Sequence, residues 1–204
     1  MTPRDDRISR RAFFGGVAVS TVALVGFTAG QSVDLLAPVN LFGPRVKGAG
    51  PQGVPINRTA AQAEVSEAAL DPRWALTLRG PDGTRAFPLD ALQAMSQSTA
   101  RLPIACVEGW STTADWRGVR LAALLDEVGA PPDATVRITS LQRRGAFRAT
   151  TMTPEFARDP LTLVALELNG APLDLDHGYP ARIIAPARPG VLQTKWLSEI
   201  EVMR

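Results

Sequence analysis

Residues 106–125 read CVEGWSTTADWRGVRLAALL. They open on Cys106, the one cysteine among 204 residues. They close on Leu121, Leu124 and Leu125, which share one helix face with Val128, and Gly129 then offers a C-terminal cap. An apolar approach, LPIA (102–105), leads into a loop bearing the thiol, and a short helix follows. Cys106 has three readings at this point. It is a buried structural cysteine, a nucleophile paired with His177, or a single thiolate ligand to a redox metal whose other ligands come from a cofactor.

Outward from this stretch, strands alternate with short helices. WALTLRG (74–80) puts Trp74, Leu76 and Leu78 on one strand face. PDGTRAFPL (81–89) is a turn and a second extended piece, and LDALQAM (89–95) a short helix. TVRITSL (135–141) and GAFRATTM (145–152) are strands, and PEFARD (154–159) is a short helix. LTLVALELNGAPLDLD (161–176) is a strand that turns at Asn169-Gly170 and returns. ARIIAPA (181–187) and WLSEIEVM (196–203) are further strands. The expected class is α+β, mixed sheets with short helices and no βαβ rhythm.

Composition excludes several chemistries. One cysteine and one histidine rule out an internal disulfide, a CxxC pair, a cysteine-rich zinc site, HExxH, CxxCH haem attachment and bis-His haem. A formal net charge of +2 and the lack of a basic run with aromatic platforms argue against nucleic acid as partner. No glycine loop of Walker or Rossmann type is present.

Three segments are expected. Residues 1–30 form an address: Ser9-Arg10-Arg11-Ala12-Phe13-Phe14 resembles the twin-arginine export signal. Nineteen uncharged positions, 12–30, follow and would nearly span a ~30 Å hydrocarbon core. The segment reads as a cleaved signal or an uncleaved membrane anchor, with the body outside the cytoplasm, periplasmic or otherwise extracytoplasmic. Residues 31–70 are a Pro/Gly-rich linker in which AAQAEVSEAAL (60–70) suits a short helix. The folded body is 71–204.

Two stretches, CVEGWSTTADWRGVRLAALL and NGAPLDLDHGYPARIIAPARPGVLQTKWLSEIEV (169–202), together resemble the molybdopterin-binding domain of the sulfite oxidase superfamily. The first has Cys, Trp ten residues on and Gly-Val-x-Leu-x-x-Leu-Leu. The second has Asn-Gly-x-x-Leu, His-Gly-x-Pro-x-Arg and Lys-Trp-Leu-x-x-Ile. The resemblance covers the body and implies an exported oxidoreductase carrying molybdenum-molybdopterin. It implies Cys106 as catalytic residue and sole protein ligand to molybdenum. His177 and Arg182 would hold the pterin and its phosphate. Gln193, Thr194 and Lys195 would contact the cofactor through backbone and the lysine charge, and Ser140 would lie at another pterin contact. Arg182 and Lys195 suit an anionic phosphate as fork and point charge. Trp110, Trp116 and Trp196 read as core or pocket walls.

The implied reaction is two-electron oxygen-atom transfer. Sulfite oxidisers of the family follow the cysteine with a Gly-Asn-Arg-Arg-like run. Here Val107-Glu108-Gly109-Trp110-Ser111 follows, closer to Cys-Val-Glu-Ala-Trp-Ser of the protein-methionine-sulfoxide reductases. That branch has asparagine in place of His177, and no counterpart of its N-terminal cofactor contacts stands out. Reduction of a sulfoxide or oxyanion is therefore favoured over sulfite oxidation. A cofactor-free Cys/His hydrolase and a non-catalytic binding module are the alternatives of another class. Electrons would come from a membrane cytochrome b or a cytochrome c. Arg143, Arg144 and Arg148 lie where they could attract an anionic substrate or dock an electron donor, or form a solvated loop.

Overall fold

The computed structural model describes residues 14–17, 19–21, 50–106 and 110–203. The chain divides into two units: Met1–Pro44 with Glu108–Trp110, and Arg45–Val107 with Ser111–Arg204. In the first unit, residues 14–17 and 19–21 are helical, with the Thr21 hydroxyl donating to the Val17 carbonyl. No helix among the described residues is long and apolar enough to cross a membrane. The export motif at 9–13 lies outside the described residues.

The second unit holds two five-stranded sheets. The first runs β2 (Gly83–Pro88), β1 (Ala75–Gly80), β10 (Leu197–Val202), β5 (Val136–Ser140), β6 (Ala149–Met152). Only β1 and β10 are parallel, with Leu78 beside Ile200. The second runs β3 (Gln97–Ala105), β4 (Ser111–Arg120), β7 (Leu163–Leu168), β8 (Ala171–Pro172), with β9 (Arg182–Ile184) also on β7. Short helices α1 (Ser66–Leu70), α2 (Leu89–Ala94), α3 (Leu121–Asp126) and α4 (Pro154–Ala157) complete it. The fold class is α+β, as the sequence indicates.

The alternation read from WALTLRG is real: Trp74, Leu76 and Leu78 are buried. They share one core with Leu92 of α2, Leu121, Leu124 and Leu125 of α3, Val164 of β7 and Ile200 of β10. Burying each such side chain stabilises by about 1.5–3 kcal/mol. Gly129 ends the α3 region at φ +68°.

The longest strand, β4, went unread as a strand. Its inner face is built from Ala114, Trp116 and Gly118, its outer face from Thr113, Asp115 and Arg117. Gly118 is required because a Cβ there would stand 2.1 Å from the Val164 carbonyl oxygen of β7. β4 leads directly into α3, which begins at Leu121, the residue after Arg120.

The expected linker, 31–70, is described only from residue 50. Residues 31–49 lie outside the described residues. From residue 50 the segment is packed: Val54, Ile56, Ala60, Ala63, Val65 and Ala69 are buried, and the last four pack on Trp196. Gln52 anchors it. Its Nε2 donates to the carbonyls of Leu168, Ala171 and Pro172, and its Oε1 accepts from the Asp174 amide. The Asn169 side chain donates to the Gln52 carbonyl. Residues 51–60 thus form a strap along one end of the second sheet.

Candidate active site

Cys106 follows directly on β3, half-buried and free. Its position depends on two neighbours. Gly190 lies so close that a Cβ on it would stand 2.7 Å from the Ala105 carbonyl oxygen. Asn57 of the strap points its Nδ2 at the Cys106 sulfur, 3.7 Å away. Asn57 is a site residue the sequence reading missed. Its only local signal is that it follows Val54 and Ile56, which are buried.

His177, Gly178 and Arg182 come from the turn between β8 and β9. Asp174 caps a 3-10 turn at Leu175–His177 by accepting from the Asp176 amide, and Gly178 closes it at φ +112°. Gly178 is also a spacer. A Cβ on it would meet the Cβ atoms of Lys195 and Arg182 at 3.1 and 3.2 Å. The two cationic side chains therefore start from either side of one glycine. The Tyr179–Pro180 peptide bond is cis.

Arg182 is 3% exposed. Its guanidinium donates to the His177 carbonyl and lies over the Trp116 ring, 4.9 Å from the centroid. Burial pulls its pKa down to about 10, so it stays charged at neutral pH. Lys195 is half-buried. Its ammonium donates to the carbonyls of Arg58 and Asp176 and sits 4.3 Å from the Trp196 ring centroid. Burial, then the Arg182 charge, lower its pKa to about 7, against smaller opposing effects of Asp176 and Cys106. Among the described residues, neither cation has an ion pair; the pairs involve Arg73, Arg79, Arg85, Arg101, Arg117 and Arg158. Buried cations without a counter-charge are costly. One buried and one half-buried cation meeting at one glycine would suit a bound anion.

The other expected residues divide by what their side chains already do. His177 is 2% exposed, and its Nε2 bonds the Pro51 carbonyl at 2.6 Å, which makes that nitrogen the donor. Burial lowers its pKa to about 4, so the ring is neutral with a lone pair on Nδ1. His177 and Cys106 share no hydrogen bond, so the Cys/His nucleophile pairing is not formed. Ser140 donates to the Lys195 carbonyl at 2.8 Å, which fixes the lysine backbone. Gln193 spans the loop after β9: its Oε1 accepts from the Ala185 amide and its Nε2 donates to the Arg188 carbonyl. The Thr194 hydroxyl meets that of Thr150 at 3.0 Å. Ser140, Gln193 and Thr194 are thus buried, with their side chains engaged on the protein. Trp116 and Trp196 are buried walls, and Trp110 falls in the first unit.

No group of three His, Cys, Asp or Glu able to hold a metal alone occurs among the described residues. One thiol beside a two-cation anion site instead suits a metal carried by an anionic organic cofactor. A family model described as "Oxidoreductase molybdopterin binding domain" matches residues 62–204, and the chain belongs to that family. Mitochondrial sulfite oxidase of Drosophila melanogaster is 31% identical over 63% of this chain and 27% of its own. The protein-methionine-sulfoxide reductase catalytic subunit MsrP of Gluconobacter oxydans is 30% identical over 48% of this chain and 36% of its own. The sulfane dehydrogenase SoxCD of Paracoccus pantotrophus shares the fold: TM-score 0.57, 21% identity, 64% of this chain and 38% of that one. The chain thus spans under half the length of these relatives. It is a molybdopterin oxidoreductase of the sulfite oxidase superfamily, and its cofactor is molybdenum bound to molybdopterin.

Proposed function

We propose that this protein is an exported enzyme that reduces a sulfoxide or oxyanion by two-electron oxygen-atom transfer. The Arg182–Lys195 pair carries the reading, because it supplies the charge an anionic pterin needs, and the strap residues Asn57 and Arg58 connect it to the thiol that can take the metal. When bound, the cofactor supplies a molybdenum centre that exchanges one oxygen atom with two electrons. Cys106 would hold that metal. Arg182 and Lys195 would hold the pterin phosphate, and the His177 Nδ1 lone pair would accept from a pterin N–H. Asn57 donates toward the cysteine sulfur, a contact that tunes a metal thiolate. Ser140, Gln193 and Thr194 shape the backbone around the cofactor.

Sulfoxide reduction consumes two electrons and two protons and releases water, so electrons must enter. With one Cys and one His, the chain has no usual haem ligand set, and the donor is a membrane cytochrome b or a cytochrome c. The substrate direction rests on the neutral Asn57 amide as neighbour to Cys106 and on the lack of arginine directly after it. Sulfite oxidation is the second reading, favoured by the identity to sulfite oxidases.

The test is molybdenum and pterin analysis of the purified protein beside Cys106→Ser, followed by turnover in both directions. About one metal and one pterin per wild-type chain, with metal lost in Cys106→Ser, is expected. Sulfoxide reduction by a viologen donor should exceed sulfite oxidation. A folded wild type carrying neither group would sink the reading.

A further inference from the structure

The loop between β5 and β6 has no part in the site. Residues 134–154 contain four arginines and no Asp or Glu. Three of them, Arg143, Arg144 and Arg148, are exposed on the loop. Six other arginines have carboxylate partners; among the described residues these three and Arg58 have none, as is also true of Arg120, Arg137, Arg182 and Arg188. Between them stands Phe147, 52% exposed, the one exposed aromatic ring of the second unit among the described residues.

The loop is seated next to the site. Its base is pinned by the Ser140 amide donating to the Arg148 carbonyl and the Leu141 amide donating to the Trp196 carbonyl. Its tip lies on the strap, since a Cβ on Gly145 would stand 3.2 Å from Arg58 Nη1. The Arg58 carbonyl takes the Lys195 ammonium, and the preceding residue, Asn57, faces the Cys106 sulfur. Three exposed arginines flanking the exposed Phe147 in the loop, with the half-buried Arg58 at its tip next to Asn57, make an electrostatic landing patch with an aromatic anchor.

We infer that Phe147, ringed by Arg58, Arg143, Arg144 and Arg148, is the docking surface for an electron-carrying protein with an acidic face. This rests on the reading above that another protein supplies the electrons. A small anionic substrate needs converging groups in a pocket, whereas these side chains spread over exposed surface. An anionic membrane pressed on this patch would cover the redox site rather than serve it.

The probes are two reduced soluble c-type cytochromes, one acidic and one basic, used with molybdenum-loaded enzyme at low ionic strength. With a sulfoxide supplied as the electron acceptor, wild type should oxidise the acidic cytochrome at least ~10-fold faster than the basic one, with a rate that falls as salt is added. Arg143→Glu with Arg144→Glu and Arg148→Glu should cut that rate ~10-fold or more and flatten the salt dependence. Phe147→Ala should cut it severalfold. Turnover with a viologen donor should be unchanged in all variants. No preference between cytochromes, or a triple variant with the wild-type rate and salt slope, overturns the inference. So does a raised KM for the small substrate with viologen, or loop-dependent binding to phosphatidylserine vesicles in place of the cytochrome. Calorimetric titration with the oxidised acidic cytochrome separates the two proposals: salt-sensitive binding lost in the triple variant supports this surface even in protein without molybdenum.

Discussion

Lys195 sits where its charge depends on what shares the site with it. Burial and Arg182 bring its pKa to about 7, so near neutrality the ammonium is half titrated in the protein alone. A bound anion favours the charged form. Below pH 7 the anion meets an ammonium already present; above it, binding must draw in a proton, and affinity drops by up to about tenfold per pH unit. Sulfate keeps one charge state over this range. The thermal-shift response of cofactor-free protein to sulfate should thus be larger at pH 6.5 than at 8.5, and the difference should vanish in Lys195→Met. Equal responses at both pH values would show that Lys195 does not face the anion. Arg182 and Lys195 were legible in the sequence because each sits in a compact local pattern. Their lack of a carboxylate partner was not, since that is a fact about distant residues.

Elements differ in how plainly they announce themselves. β1 and α3 show in the sequence because large apolar residues recur at periods of two and of three to four. β4 hides because its inner face uses Ala114 and Gly118, and small residues carry little periodic signal. The strap hides for another reason. Its bonds run through backbone groups and Gln52 to residues 116 to 137 positions away, so no local pattern encodes them. The turn at Gly190–Leu192 is similar: its fit against β3 is a clearance between two backbones. Gly190→Ala should displace the Ala105 carbonyl and the thiol after it. The expected result is a folded protein by circular dichroism, destabilised by about 1–3 kcal/mol in urea, retaining well under half the wild-type molybdenum. Full metal content at wild-type stability would mean that the contact gives way at no cost.

At the scale of the whole molecule, the two sheets supply stability and one of their ends supplies chemistry. His177 joins the two roles, since its ring ties the strap to the turn before β9. With a folded pKa of about 4 against an ordinary 6.5, the unfolded chain takes up this proton first as pH falls. The neutral ring's contribution is thus fully present above pH 6.5 and is lost between 6.5 and 4, up to about 3 kcal/mol. Urea midpoints measured across that window should fall for wild type and fall much less for His177→Gln. Parallel curves would place the acid sensitivity elsewhere. Asp71, held low beside Arg73, is exposed and acts at lower pH, outside this window.

The strap's partners lie more than a hundred residues further along the chain than the strap itself. Closing so long a loop costs entropy that is recovered only when the acceptors are in place. The strap therefore docks onto sheets already formed. Before it does, Asn57 is away from Cys106, and Lys195 lacks one of its two carbonyls. Assembly order is in this way written into contact distance: the sheets form first, and the strap that completes the surroundings of the thiol follows.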